Sequence, residues 1–72
     1  MAMTNINIIQ YPDNTFLIKT LKCSYPISLY WSDYEQQWTT HSWDSTFPIL
    51  SFGNGPLPDW TSLIQFLLEY NN

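Results

Sequence analysis

The sequence contains little positive charge. It has two lysines and no arginine against six acidic residues, which gives a net charge of −4. Nucleic-acid binding depends mainly on neutralising phosphates with several Lys or Arg side chains, and two lysines cannot supply about six to ten such contacts. The shortage of basic residues therefore predicts no nucleic-acid binding. It favours a protein partner that presents a basic surface.

Cysteine and histidine each occur once, as Cys23 and His41. Zinc sites use about four nitrogen, sulfur or oxygen ligands, so one His and one Cys predict no metal centre. A Cys–His nucleophile would have to be this pair, but the predicted strand register places His41 opposite Ser28 and Cys23 about 10 Å away, one strand farther. No phosphate-binding glycine loop or catalytic motif is present. We therefore predict a protein that is not an enzyme and has no cofactor.

No segment has the pattern of a targeting or membrane-spanning sequence. The N-terminus lacks a basic region followed by an apolar run, which argues against a secretory signal. The longest apolar candidate, residues 63–68, contains Gln65 and falls far short of the roughly 20 residues of a membrane span. A single cysteine also excludes an internal disulfide. These absences predict a cytoplasmic protein that does not bind a membrane.

The first two thirds of the chain alternate apolar and polar residues, as β-strands do. The segments predicted to be strands are residues 5–11, 16–23, 27–32 and 37–43. Pro12 favours a turn between the first two, and the polar loop 33–36 joins the last two, so two hairpins are expected. Trp31 and Trp38 flank the second loop and are predicted to form a cross-strand pair. Residues 49–52 are a candidate fifth strand.

The final segment, residues 58–70, predicts an α-helix. Pro58 and Asp59 favour a helix N-terminus, and neither glycine nor proline follows. Together the elements predict a single α+β domain over residues 1–72. Its architecture is expected to be a small antiparallel β-meander of four or five strands with one C-terminal helix packed on one face.

The predicted helix is apolar over a wide arc. At about 100° per residue, its apolar side chains cover roughly 200° of the circumference. These side chains are Trp60, Leu63, Ile64, Phe66, Leu67, Leu68 and Tyr70. One sheet face covers only about half of such an arc. Either residues 44–57 fold over the remainder, or a second protein covers it.

Tyrosine and tryptophan are concentrated beside the acidic loop. Tyr30 and Trp31 are consecutive in a strand, so their side chains point to opposite faces and one of them cannot face the helix. Asp33, Tyr34 and Glu35 follow directly in the loop. Aromatic residues of this kind are enriched at protein–protein interfaces, and the neighbouring acids would attract a basic partner. We therefore predict partner binding through Tyr30, Trp31, Asp33, Tyr34 and Glu35. Whichever of Tyr30 and Trp31 faces away from the helix is expected to be the aromatic anchor, and truncation of the other is expected to unfold the domain.

These features predict a non-enzymatic protein-binding module, such as a small acidic inhibitor or immunity-type protein that acts on a basic protein site. Two alternatives remain open. One is a homodimeric structural or assembly subunit. The other is a small-ligand binder that uses the aromatic cluster. Self-association into a homodimer is predicted in addition to the basic partner, through the helix or through the sheet face that the helix leaves uncovered. The order of elements is shared by too many unrelated small domains to indicate a family.

Overall fold

A computed structural model describes residues 6–21 and 24–70 and confirms the predicted α+β meander. Its elements are β1 (Ile6–Gln10), β2 (Phe16–Thr20), β3 (Ile27–Ser32), β4 (Gln37–Ser42) and α1 (Trp60–Tyr70). The strands form one antiparallel sheet in the order β1-β2-β3-β4. Each strand therefore pairs with its neighbour in sequence, which is what short turns between alternating segments impose.

Three of the four strands are shorter than predicted. The predicted ranges 5–11, 16–23 and 37–43 correspond to strands that end at Gln10, Thr20 and Ser42. The first ends early because Tyr11 closes the turn, donating to the Thr15 carbonyl at 2.8 Å and accepting from the Asn14 N–H at 3.0 Å. Residue 5 and Cys23 lie outside the described ranges. The predicted distance between Cys23 and His41 therefore stays a prediction.

Alternation along the strands decides which side chains face the helix. The buried core consists of Phe16, Ile18, Ile27, Leu29, Trp38, Phe47, Phe52, Leu63 and Leu67. Within the sheet these residues form rows, with Phe16 opposite Leu29 and Ile18 opposite Ile27. Side chains one position out of phase, such as Leu17, point to the opposite face, which we call the outer face.

Helix α1 begins at Trp60, two residues later than predicted, because Asp59 caps it. The Asp59 carboxylate accepts hydrogen bonds from the Ser62 N–H at 3.2 Å and from the Ser62 hydroxyl at 2.8 Å. An N-cap of this kind satisfies a backbone donor that has no partner inside the helix. In the described ranges, no helix is long and apolar enough to cross a membrane.

The chain itself covers one side of the wide apolar arc of α1. Phe47 makes edge-on contacts with Phe66 and Tyr70, with ring centroids 5.9 and 5.2 Å apart. Phe52 lies 6.0 Å from Phe66, and both Phe47 and Phe52 are buried. Residues 44–57 therefore cover the Phe66 side of the helix, which is the first of the two possibilities raised by the sequence. On the other side of the arc Leu68 is not covered and remains 41% exposed.

The candidate fifth strand, residues 49–52, is not a strand. The chain runs along the edge of β4 there but makes only one isolated β-bridge with it. Trp38 exchanges two backbone hydrogen bonds with this segment, donating to the Gly53 carbonyl and accepting from the Phe52 N–H, each at 2.8 Å. Gly53 has a φ of 104°, which interrupts strand geometry. The segment covers the edge of β4, whereas in the described residues nothing pairs with the far edge of β1.

Candidate functional site

Both hairpin turns lie at the same end of the sheet, because consecutive strands of a meander run in opposite directions. The register shows this directly, since Gln10 pairs with Phe16 and Phe16 pairs with Leu29 near the end of β3. We call this end, which includes residues 11–15 and 33–36, the turn end. The two turns are therefore on the same side of the molecule although about 20 residues separate them in sequence.

The first turn holds an acidic side chain in a fixed position. Asn14 has a φ of 67°, the left-handed conformation that asparagine tolerates and that three-residue hairpin loops use. Asp13 Oδ1 accepts from the Thr15 hydroxyl at 2.6 Å and from the Thr15 N–H at 3.0 Å. The hydroxyl first, and then the N–H, lower the pKa of Asp13 below its ordinary value. Asp13 is therefore an anchored anion.

The second turn projects three of the predicted site residues into solvent. It is closed by the Gln36 N–H, which donates to the Ser32 carbonyl at 2.7 Å, with Gln36 at a φ of 56°. The Glu35 N–H also donates to the Ser32 hydroxyl at 3.2 Å. Asp33, Tyr34 and Glu35 are exposed, and Tyr34 reaches 98%. The turn thus presents two carboxylates and one tyrosine.

The two remaining predicted residues lie on different faces. Tyr30 points to the outer face and is 37% exposed. Trp31 is half-buried on the helix side and lies opposite Trp38. The two indole rings meet edge-on with centroids 5.8 Å apart, which confirms the predicted cross-strand pair. The structure therefore brings Trp31 beside the turns but separates it from Tyr30.

A cleft of about 690 Å³ opens at the turn end, and we call it the aromatic cleft. Its lining includes Asp13, Phe16, Trp31, Trp38, Asn54 and Leu57. Its volume is in the range of small-molecule and side-chain binding sites. Of the predicted site residues only Trp31 contributes to it, because the wall is built from residues 54–57, for which the sequence showed no regular pattern.

The floor of the aromatic cleft is fixed by its own contacts. The Trp38 indole N–H donates to the Gly55 carbonyl at 3.1 Å, which ties the sheet to the 54–57 wall. Phe16 packs edge-on against Trp38 at 5.9 Å and against Trp60 at 4.9 Å. Each ring is thus held by at least one other, so the cleft exists before any ligand arrives.

Charge is distributed unequally between the two ends of the sheet. Asp13, Asp33 and Glu35 are at the turn end, whereas Lys19 pairs with Asn7 farther along β2. His41 lies opposite Ser28, as the register predicted, and is exposed on the outer face. The turn end therefore combines an aromatic cleft with negative charge.

The hydrogen bonds of Asp13 occur again at Asp44, which permits a reciprocal test. Asp44 Oδ1 accepts from the Thr46 hydroxyl at 2.6 Å and from the Thr46 N–H at 3.0 Å, and these bonds lower the pKa of Asp44. We expect Thr15→Val to raise the pKa of Asp13 towards the ordinary value near 3.9 without moving Asp44, and Thr46→Val to do the reverse. Carboxyl carbon NMR titration measures both.

The sign of the linked stability change follows from these lowered values. A carboxylate whose folded pKa is below its unfolded pKa stabilises the fold above about pH 4, and this contribution is lost as pH falls through the folded pKa. Each valine variant should therefore lose less stability on acidification than the parent protein. Equal titration of both carboxyls in all three proteins would contradict the assignment of the threonine hydroxyls as the main cause.

Within the part of the chain that the structure describes, the site matches no standard metal chemistry. No group of three or more His, Cys, Asp or Glu side chains there is arranged to hold a metal ion.

Comparison with protein-family models, curated proteins and solved structures found no significant match. The site is therefore characterised by its own geometry, an aromatic cleft lined by the anchored Asp13, with Asp33 and Glu35 exposed at the same end of the sheet.

Proposed function

We propose that this protein is a non-enzymatic protein-binding module that binds a basic partner protein through the turn end. The observation that carries the proposal is the placement of Asp13, Asp33 and Glu35 at the end where the aromatic cleft opens. An inhibitor or immunity-type protein that occupies a basic site on another protein would need this combination.

The two parts of the surface have different roles in this proposal. Exposed carboxylates attract a basic partner over distances of about a Debye length, so Asp33 and Glu35 speed the encounter. Desolvated aromatic side chains contribute most to the lifetime of a complex. The sequence pattern favoured the outward aromatic, which is Tyr30, for this role; we assign it instead to Trp31, because Trp31 lines the aromatic cleft and so slows dissociation. Tyr34, fully exposed at the tip, supplies further contact area with little loss of side-chain entropy.

The test compares two double variants that each remove two negative charges. Asp33→Asn with Glu35→Gln changes the turn end, and Asp44→Asn with Glu69→Gln changes the opposite end. The Tyr70 hydroxyl near the end of α1 lies 3.3 Å from the Thr46 hydroxyl, which places Asp44 and Glu69 on that side. Asparagine at 44 keeps an oxygen that can accept from Thr46.

We expect the turn-end variant to associate roughly three- to tenfold more slowly at low salt with the partner recovered by affinity capture, and to lose most of its salt dependence. The opposite-end variant should associate at close to the parent rate. Surface plasmon resonance over a salt series measures both. Identical rates for the two variants would place the binding surface elsewhere.

The open edge of β1 favours a second candidate, the homodimeric subunit. β1 has the sequence Ile-Asn-Ile-Ile-Gln, without the charge or proline that usually protects an edge strand from pairing. Ile8 and Ile9 are 40% and 41% exposed. β1 itself carries no charge, and the register places Lys19 of β2 opposite Asn7, so no carboxylate lies within the paired length of these two strands. We propose that two copies pair through β1 into one continuous sheet.

For this candidate, we expect a mass near 17 kDa in sedimentation equilibrium, twice the 8.5 kDa of one chain. Ile9→Lys should shift the equilibrium to monomer, because a lysine placed in an edge strand must be desolvated or displaced on pairing. Ile49→Lys is the control, since Ile49 is 67% exposed and lies away from β1. A monomeric parent protein at high micromolar concentration would rule out the dimer.

A further inference from the structure

The aromatic cleft has the composition of a site for a long cationic side chain. Phe16 and Trp38 are 8% and 6% exposed and form the floor, while the half-buried Trp31 forms a side. The alkyl stem of a lysine or arginine packs well on such surfaces. Its charged head is attracted to the faces of aromatic rings, most strongly to tryptophan.

Asp13 adds a negative charge to the same cleft. Both Thr15 hydrogen bonds are made to Oδ1, and a carboxylate has about four acceptor positions, so Asp13 retains capacity for a further donor. The same bonds orient the carboxylate before a ligand arrives, and they keep it ionised by lowering its pKa.

The chain's own described lysine does not occupy this position. Lys19 is on β2, out of phase with Phe16 and Ile18, and therefore points to the outer face. The Trp31 indole N–H has no hydrogen-bond partner within residues 6–21 and 24–70, so it can donate to a backbone carbonyl of an incoming segment. The cleft thus offers an apolar floor, one anion and one free donor.

We propose that the aromatic cleft binds a single alkylammonium or alkylguanidinium side chain of the partner, with its stem on Trp31 and Trp38 and its head beside Asp13. This inference rests on the proposed function, because a basic partner supplies the cation. The inference identifies the chemical group of the partner that enters the cleft. It also distinguishes this contact from the exposed acids of the second turn, which attract the partner at longer range.

The probes are n-butylammonium, n-butylguanidinium and uncharged n-butanol, titrated to about 100 mM at constant ionic strength into the full chain labelled with ¹⁵N. Ligands of this size are expected to bind with millimolar dissociation constants. We expect saturable shifts of the Trp31 indole N–H and the Asp13 backbone N–H with both cations. The cations should bind about tenfold more tightly than butanol, from one ring contact and one exposed ion pair together.

Asp13→Asn keeps an oxygen for the Thr15 hydrogen bonds and removes only the charge. It should lower cation affinity about threefold and leave butanol binding unchanged. Tighter binding of butylguanidinium assigns the site to arginine, and tighter binding of butylammonium assigns it to lysine. Equal affinity for cations and butanol, or shifts spread over the sheet rather than the cleft, would overturn the proposal.

The variant with Asp33→Asn and Glu35→Gln separates this inference from the proposed function. Its affinity for butylammonium should stay within about twofold of the parent value, since these acids are exposed and outside the cleft lining. If cations bind in the cleft but the double variant associates with the partner at the parent rate, only the proposed role of the second turn is rejected. If the double variant associates more slowly but no cation binds in the cleft, only the cleft proposal is rejected.

Discussion

Replacing Leu67 with alanine is expected to lower the free energy of unfolding by about 3 to 4 kcal/mol. Leu67 has no exposed surface and belongs to the buried core that α1 forms with the sheet and with residues 47 and 52. The change removes buried apolar contacts and leaves a cavity that the surrounding residues fill only partly. A chain of this length has a total stability of roughly 4 to 11 kcal/mol, so the substitution removes a large fraction of it, and at the low end of that range about half of the molecules are unfolded at 25 °C.

The adjacent residue provides a matched control. Leu68→Ala makes the same chemical change one position along the same helix, with the same small change in helix propensity. Because Leu68 is 41% exposed, its truncation should cost less than about 1 kcal/mol. Urea denaturation followed by far-UV circular dichroism measures both values. Similar losses for the two variants would mean that α1 does not pack on the sheet through Leu67.

The second large effect is expected at Gly53, where alanine should lower the free energy of unfolding by about 2 to 4 kcal/mol. The φ of 104° at this position is a conformation that residues with a side chain rarely adopt. A Cβ atom there would also lie 3.0 Å from the backbone nitrogen of Asp59. That nitrogen donates to the Phe52 carbonyl at 2.8 Å, so relief of the contact would weaken this bond and displace the helix cap.

Gly55→Ala is the corresponding control. A Cβ at Gly55 would meet no atom within 4 Å, and its φ is not positive. Its replacement should be neutral or stabilise by up to about 0.5 kcal/mol, because alanine restricts the unfolded chain. Thermal unfolding distinguishes the two variants, since 1 kcal/mol corresponds to about 4 to 8 °C in a domain of this size. Equal melting temperatures would show that Gly53 is not required by its conformation.

The sheet was predictable because the patterns that specify it, alternation within a strand and a turn between neighbouring strands, each span only a few residues. Alternation places Ile27, Leu29 and Trp31 on one face, and turn residues separate the paired strands by only a few positions. The Trp31–Trp38 pair then follows from the register alone. Such features depend on local geometry, and no distant part of the chain is needed to read them.

The path of residues 44–57 could not be predicted, because long-range contacts determine it. Thr40 is fully buried, and its hydroxyl accepts from the Leu50 N–H at 2.9 Å. Phe47 is placed by Phe66 and Tyr70, more than 18 residues later in the chain. The contacts of Thr40 with Leu50 and of Phe47 with the helix leave no periodic pattern in the sequence. The candidate fifth strand was therefore wrong, and the cleft wall at residues 54–57 was not predicted.

The candidate site was predictable in part for the same reason. Alternation established that Tyr30 and Trp31 point to opposite faces, and the strand burial decides that Trp31 faces the helix. Asp13 was not predicted as a site residue, although the spacing of Asp13 and Thr15 is a recognisable turn signal. Its proximity to Trp31 depends on the pairing of three strands, which the interface composition of residues 30–35 did not reveal.

The edge-on contact between Trp31 and Trp38 also has an optical consequence. Two indole chromophores 5.8 Å apart, with ring planes at 74°, have electronic transitions that couple rather than absorb independently. We expect this coupling to give the folded protein a pair of circular dichroism bands of opposite sign, beyond what its strands and helix produce. Because Trp31 borders the aromatic cleft, the intensity of these bands is an intrinsic, label-free report on that end of the molecule.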